Sequence, residues 1–381
     1  MKKLLLFTLL LSFAACTPRQ VYSPTKPGNE TSNDTTFFQP PKNVVLMIGD
    51  GMGLTQITAG MYMNGNRLNL EEFTHVGLQK PHSARELITD SAAAATAIAS
   101  GRKTYNGAIG VGGKGEAVTT IMELAKAAGM RTGLVVTSTI THATPAGFYA
   151  HQPDRNMEEA IAIDLVAADV DFFVGGGKKY FDERTDGRNL IDELWKKGYF
   201  VSDYSQSKFE EVKIEHGRKF AYFSAAEKPS KATGGRDYLP RATGAAVETL
   251  AAGAAHGFFL MVEGSQIDWG GHDNDSDYIV SEMIDFDKAI GAVLDFAKKD
   301  GQTLVIVTAD HETGGYAINP GSTWDTIRAG FTTKDHTASL VPVFAWGPGA
   351  RLFAGMYENT AIFGKISRAL NLGKMQSGVS K

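Results

Sequence analysis

Phe258-Phe259-Leu260-Met261-Val262-Glu263-Gly264-Ser265-Gln266-Ile267-Asp268-Trp269-Gly270-Gly271-His272 is the stretch on which the fold turns. Its first five residues are apolar without alternation. A strand that buries only one face alternates, so this run reads as a strand covered on both faces, as in a parallel sheet. The same unit recurs along the chain, at Asn43–Ile48, Thr132–Val136, Asp171–Val174, Thr303–Val307 and Val341–Trp346. All six runs are expected to be buried parallel strands. Between them, helical spacing of apolar residues runs over Thr119–Ala128, Met157–Ala168, Gly244–Ala254 and Tyr278–Lys298. Strand and helix in alternation predict an α/β fold, a doubly wound and mostly parallel sheet with helices on both faces. Residues 180–240 are mixed and polar, and fit either a subdomain insertion or long loops.

In such a sheet, ligands lie beyond the carboxyl ends of the strands, and Asp, Glu, His and Ser gather there. Glu263, Asp268 and His272 follow the first stretch within a few positions, a density of carboxylate and imidazole that suits zinc, with the harder oxygens suiting magnesium. Asp50 follows Asn43–Ile48 between Gly49 and Gly51, which permit a sharp turn and close backbone approach. Thr141-His142-Ala143-Thr144-Pro145 follows Thr132–Val136, and Arg155 comes shortly after. Thr144 offers a hard oxygen, and Arg155 a guanidinium that fits two phosphate oxygens. Asp310 and His311 follow Thr303–Val307, and His336 precedes the last strand. Thr89-Asp90-Ser91 opens an alanine-rich helix that ends at Gly101. Taken alone these residues are N-caps. The same position also places the Ser91 hydroxyl in the positive field of a helix N-terminus, which favours an alkoxide or a phosphorylated serine. Gly175-Gly176-Gly177-Lys178 lacks the spacing of a phosphate loop and reads as a turn. Met61–Met63 and Tyr278–Phe286 read as core or interface.

The 381 residues carry a net charge of −4 and 42 glycines. No basic patch suggests nucleic acid. Met1-Lys2-Lys3, an apolar run over Leu4–Phe13 and then Ala14-Ala15-Cys16 read as a secretory signal, cut after residue 15 and too short to span a bilayer. Cys16, the only cysteine, stands where a bacterial lipoprotein is acylated. The expected layout is a signal peptide over 1–15, a lipidated Cys16 with a flexible tether over 16–40, and one catalytic domain over 41–375. Export to the periplasm or cell envelope follows. With no second cysteine, metals are expected to supply stability that disulfides give other exported proteins.

Together the Asp50 segment, Thr89–Gly110, Thr144-Pro145 with Arg155, Glu263–His272, Asp310-His311 and His336 resemble the alkaline phosphatase family, in the family's order from Asn43 to Gly349. The resemblance implies hydrolysis of phosphate monoesters with an alkaline optimum, two zinc ions, one magnesium ion and a homodimer. It implies Asp268, His272 and His336 at the first zinc, Asp50, Asp310 and His311 at the second, and Asp50, Thr144 and Glu263 at the magnesium. Ser91 would be the nucleophile and Arg155 the phosphate clamp. His142 and Trp269 would stand behind the ligands, where some bacterial members carry Asp and Lys; without that lysine, faster phosphate release is implied. Two rivals are a phosphodiesterase or sulfatase sharing the metal core, and a lipid-anchored binding protein without catalysis.

Overall fold

The computed structural model describes residues 39–372; the signal, Cys16 and most of the tether lie outside them. The apolar runs become strands β1 (Asn43–Gly49), β3 (Arg131–Thr139), β4 (Phe172–Gly176), β7 (Phe258–Gly264), β8 (Thr303–Thr308) and β13 (Val341–Trp346). Four further strands, β2 (His75–Lys80), β5 (Phe200–Asp203), β6 (Phe220–Phe223) and β14 (Gly355–Glu358), complete one ten-stranded sheet in the order β14-β2-β13-β8-β1-β7-β3-β4-β6-β5. β1 lies between β7 and β8, parallel to both. Every residue of β1, β7 and β8 is buried, as their unbroken apolar runs require.

One expectation is corrected here. β13 is antiparallel to both β8 and β2, not parallel. The chain leaves the carboxyl end of β8, makes an excursion without a helix, and comes back at the same end, so Val343 pairs with Thr308. Without a crossover helix to carry the chain to the opposite edge, the next strand can only run backwards. The excursion holds four two-residue strands: β9 (Glu312–Thr313), β10 (Ala317–Ile318), β11 (Ala329–Gly330) and β12 (His336–Thr337). β12 pairs with β9 and β10 with β11.

Residues 180–240 are neither an appended subdomain nor simply long loops. Their strands β5 and β6 extend the main sheet in parallel from β4. Helices cover both faces. One layer contains α2 (Ser91–Ser100), α3 (Ile121–Ala127) and α5 (Glu158–Ala168), and the other contains α8 (Tyr238–Ala251) and α10 (Ser276–Asp300). α8 starts before the expected Gly244, because Pro240 stands in its first turn, where a missing N–H leaves no helical bond unmade. All ten residues of α2 are buried. Its alanines permit this: a Cβ built on Gly147 would already come 3.0 Å from the Ala95 methyl, so a larger residue at Ala95 would push the neighbouring segment off the helix. No helix of the described residues is long and apolar enough to cross a membrane.

A buried charge cluster ties the segment before α8 to α10. Arg236 donates to Asp285 at 2.7 Å and to Glu282, and its Nε donates to the Ser230 carbonyl at 3.1 Å. Glu282 also accepts from the Ala232 N–H at 2.7 Å. Removing Arg236 would leave two buried carboxylates uncompensated. Arg236→Ala should therefore lower unfolding stability by about 3 kcal/mol in denaturant titrations with metal content held constant.

Candidate active site

The carboxyl ends of β1, β3, β7 and β8 converge, and the expected site residues follow them. Asp50 continues β1 and is fully buried. The turn after it has Gly51 at φ +68°, and a Cβ there would stand 2.8 Å from Asp268 Cα and 2.6 Å from the Thr313 hydroxyl. Only glycine lets β1 hand its aspartate to the site so close to the β7 loop. β7 carries Glu263 as its last residue but one, and helix α9 (Gln266–Asp273) then presents Asp268 and His272 one turn apart. Asp310 and His311 leave β8, and β12 returns His336 to the same place through its pairing with Thr313.

The distances bring these residues together. His311 Nε2 is 3.2 Å from Asp310, 3.5 Å from Asp50 and 3.3 Å from the Ser91 hydroxyl. His272 Nε2 is 3.3 Å from Asp268 and 3.2 Å from His336 Nε2, and His336 is 3.5 Å from Asp268. Three groups of donor atoms are spaced to hold a cation: Asp268, His272 and His336; Asp50, Asp268 and His311; and Asp50, His142 and Glu263. Asp268 thus reaches two of them, while Asp310 lies beside the second. His142, expected only to stand behind the ligands, completes the third with Asp50 and Glu263.

Electrostatics argue for cations. His272 Nδ1 faces the Lys334 carbonyl at 2.5 Å and His336 Nδ1 faces the Thr89 carbonyl at 2.8 Å. Each Nδ1–H donates to its carbonyl, which leaves Nε2 to point inward as a metal donor. Both oxygens of Asp50, one oxygen each of Asp310 and Glu263, the Thr144 hydroxyl and His142 Nδ1 are buried without a hydrogen-bond partner. Such orphans are rare in native interiors, and this collection of hard oxygens and imidazoles fits zinc and magnesium. Titration of the chain alone reflects the same crowding. Burial, then repulsion from Asp310 and Asp268, pushes Asp50 well above the usual carboxylate range. Burial raises Glu263 to about 7 against the opposing Ser265 hydrogen bond. His272 is drawn up to about 9 by its hydrogen bond to Asp268, and burial drives His336 down to about 4.

Ser91 is the first residue of α2 and is 2% exposed. Asp90 does two things at once. One carboxylate oxygen caps the helix through the Ala93 N–H at 2.9 Å, and the other accepts from Arg155 Nη1 at 3.0 Å and from the Gly107 N–H at 2.9 Å. The holder of Arg155 was hidden in sequence because Asp90 already had a sufficient role as a cap. Arg155 Nη2 donates toward His142 Nε2 at 3.4 Å.

A second clasp stands behind Arg155. His151 faces Glu123 at 2.9 Å through Nε2 and the Gly110 carbonyl at 2.7 Å through Nδ1, while the Arg155 N–H donates to the Gly107 carbonyl at 2.8 Å. The Glu123 hydrogen bond raises His151; although burial opposes it, the His151 and Thr120 bonds hold Glu123 low. Glu123 stabilises above its unfolded value of about 4.5, and His151 stabilises fully below about 6.5. The ionic part of the clasp is therefore greatest between those values and fades as pH rises through the raised His151 pKa. Glu123→Gln keeps the capping box on Thr120. It should lower the His151 pKa measured by NMR and cost under about 1 kcal/mol, since both groups are partly exposed.

Comparison with known proteins accords with this geometry. The family model for alkaline phosphatase matches residues 41–329 and 325–372. Alkaline phosphatase 3 of Bacillus subtilis is 35% identical, over 86% of this chain and 89% of its own length. Alkaline phosphatase of Escherichia coli is 32% identical, over 91% of this chain and 90% of its own. The solved alkaline phosphatase from the Antarctic bacterium TAB5 superposes with a TM-score of 0.82 at 45% identity, covering 88% of this chain and 99% of that one. Sequence, fold and the assembly of buried donors thus agree that the chain belongs to the alkaline phosphatase family.

Proposed function

We propose that this phosphomonoester hydrolase works through a covalent phosphoserine at Ser91, in a site that holds two zinc ions and one magnesium ion. The observation that carries the reading is the Ser91 hydroxyl at a buried helix N-terminus, 3.3 Å from His311 Nε2 and amid partnerless carboxylates. Asp268, His272 and His336 would hold the first zinc, Asp50, Asp310 and His311 the second, and Asp50, Thr144 and Glu263 the magnesium, with His142 as a further donor. Bound there, the cations supply charge neutralisation and activate hydroxyl and water. Ser91 Oγ attacks phosphorus in line as the bond to the alcohol breaks, and water then hydrolyses the phosphoserine. The α2 N-terminus favours the negative charge that builds at Ser91. Arg155, tethered by Asp90, directs its N–H groups at the phosphoryl oxygens.

Residues 41–375 are read as a single catalytic domain. The leader and Cys16 support export to the cell envelope with a lipid anchor, and family membership supports a homodimer. The test is phosphate release from an aryl monoester at alkaline pH, beside an aryl diester and an aryl sulfate. The monoester should be turned over fastest, by at least about a hundredfold, a margin of roughly 3 kcal/mol in transition-state stabilisation. Faster turnover of the diester or the sulfate would reverse the assignment, and phosphate binding without turnover would point to a binding protein.

A further inference from the structure

Lys228 lies between β6 and α8 on backbone that is pinned on both sides. Before it, the Gly177 N–H donates to the Glu227 carbonyl at 2.9 Å and the Lys179 N–H to the Ala226 carbonyl at 3.1 Å. After it, Gln266 Nε2 donates to the carbonyls of Pro229 at 3.2 Å and Ser230 at 3.3 Å, and Ser230 is held again by Arg236. The side chain itself is exposed. Its ammonium stands 4.9 Å from the centre of the Trp269 ring. Among the described residues no carboxylate pairs with it, and the adjacent Glu227 is engaged by Lys179. A cation on fixed backbone over an indole face, with no anion of its own, is a binding element in want of a ligand.

Its surroundings say where that ligand lies. Trp269 directly follows Asp268 and meets His142 edge-on, with ring centres 6.3 Å apart. His142 in turn touches Arg155, which is tied to Asp90 beside Ser91. The positive charges run outward from the reacting serine as Arg155 and then Lys228. Arg155 is committed near the transferred phosphoryl group. Lys228 joins this chain of contacts through the Trp269 ring, away from Arg155's own partners.

We propose that Lys228 and Trp269 form a specificity-determining subsite for the alcohol portion of the substrate, in which the indole takes an apolar or ring segment and the ammonium takes an anionic group such as a carboxylate or a second phosphate. The subsite rests on the reading of Ser91 and Arg155 as the reacting centre. It selects phosphate monoesters whose alcohol is itself negatively charged.

The test compares 4-carboxyphenyl phosphate with 4-carbamoylphenyl phosphate on the metal-loaded enzyme. The two leaving groups are similar in shape and differ in charge. Lys228→Gln should lower kcat/KM for the carboxylate ester by about three- to fivefold, the range of an exposed ion pair, and leave the carboxamide ester nearly unchanged. Lys228→Arg should preserve the preference, and about 1 M salt should erase it in the parent enzyme. An equal loss on both esters, or no change on either, would overturn the subsite while leaving the Ser91 reading intact. A parent enzyme that hydrolyses neither ester would overturn the Ser91 centre, and the subsite with it.

Discussion

Ser91→Ala should abolish turnover of aryl phosphates, by roughly four orders of magnitude or more, while leaving the fold and the bound metals in place. The size follows from the role proposed for the hydroxyl. Residues that act as one unit with a nucleophile fall together when it is removed, and only binding and electrostatic stabilisation remain. Folding is spared because the Ser91 hydroxyl caps nothing: the α2 cap is Asp90, through the Ala93 N–H. Alanine also fits a helix whose next four residues are alanines. The measurement is twofold. Acid-quenched parent enzyme should carry one phosphoryl group on the peptide containing Ser91 by mass spectrometry, and the variant none. A variant that keeps its phosphoryl label and its rate would refute Ser91 as the nucleophile.

Removing divalent ions should be nearly as severe for activity and should also weaken the fold. The orphaned oxygens of Asp50, Asp310 and Glu263 are buried without hydrogen bonds. Asp50 is crowded by Asp310, Asp268 and Glu263, each of which raises its pKa. Cations relieve both conditions at once. An ion held at a thousandfold its dissociation constant contributes about 4 kcal/mol to stability, which for a domain of this size is a fall in Tm of roughly 5–10 °C on its removal. Dialysis against a chelator, checked by metal analysis, should lower Tm by that amount and suppress phosphate release. Zinc with magnesium should restore both. A metal-free protein with unaltered Tm and full turnover would show that the cluster is not a metal centre.

The sheet was legible because six of its strands grow from apolar runs, and burial on both faces writes itself directly into composition. Chemistry was legible because it follows those runs at their carboxyl ends. Direction was not: Val341–Trp346 is as apolar as a parallel strand, and only the course of the chain through residues 309–340 makes it antiparallel. His75–Lys80 went unread because it mixes polar and apolar residues, with Val76 half exposed. Phe200–Asp203 and Phe220–Phe223 are too short to stand out from the polar sequence around them. Within the site, single residues announced their type but not their company. His142 reads as a packed histidine until Asp50 and Glu263 arrive from two other strands. Lys228 is far in sequence from Trp269 and carries no motif.

The excursion between β8 and β13 has a consequence for how the protein tolerates change. Its two ends are fastened to each other, His336 to Thr313 and Thr337 to both Glu312 and the paired backbone. The farther loop around Ser322–Arg328 lies beyond that fastening, joined through the short β10–β11 pair, with Trp324 largely exposed and set edge-on to Tyr62. Lengthening a closed surface loop costs little, about 0.6 kcal/mol for each doubling. The tip can thus accept foreign residues, an affinity tag or a reporter peptide, without shifting the histidine delivered at its base. The two-residue ribbon that carries His336 works as a gasket: it isolates the chemistry from whatever is attached outside it.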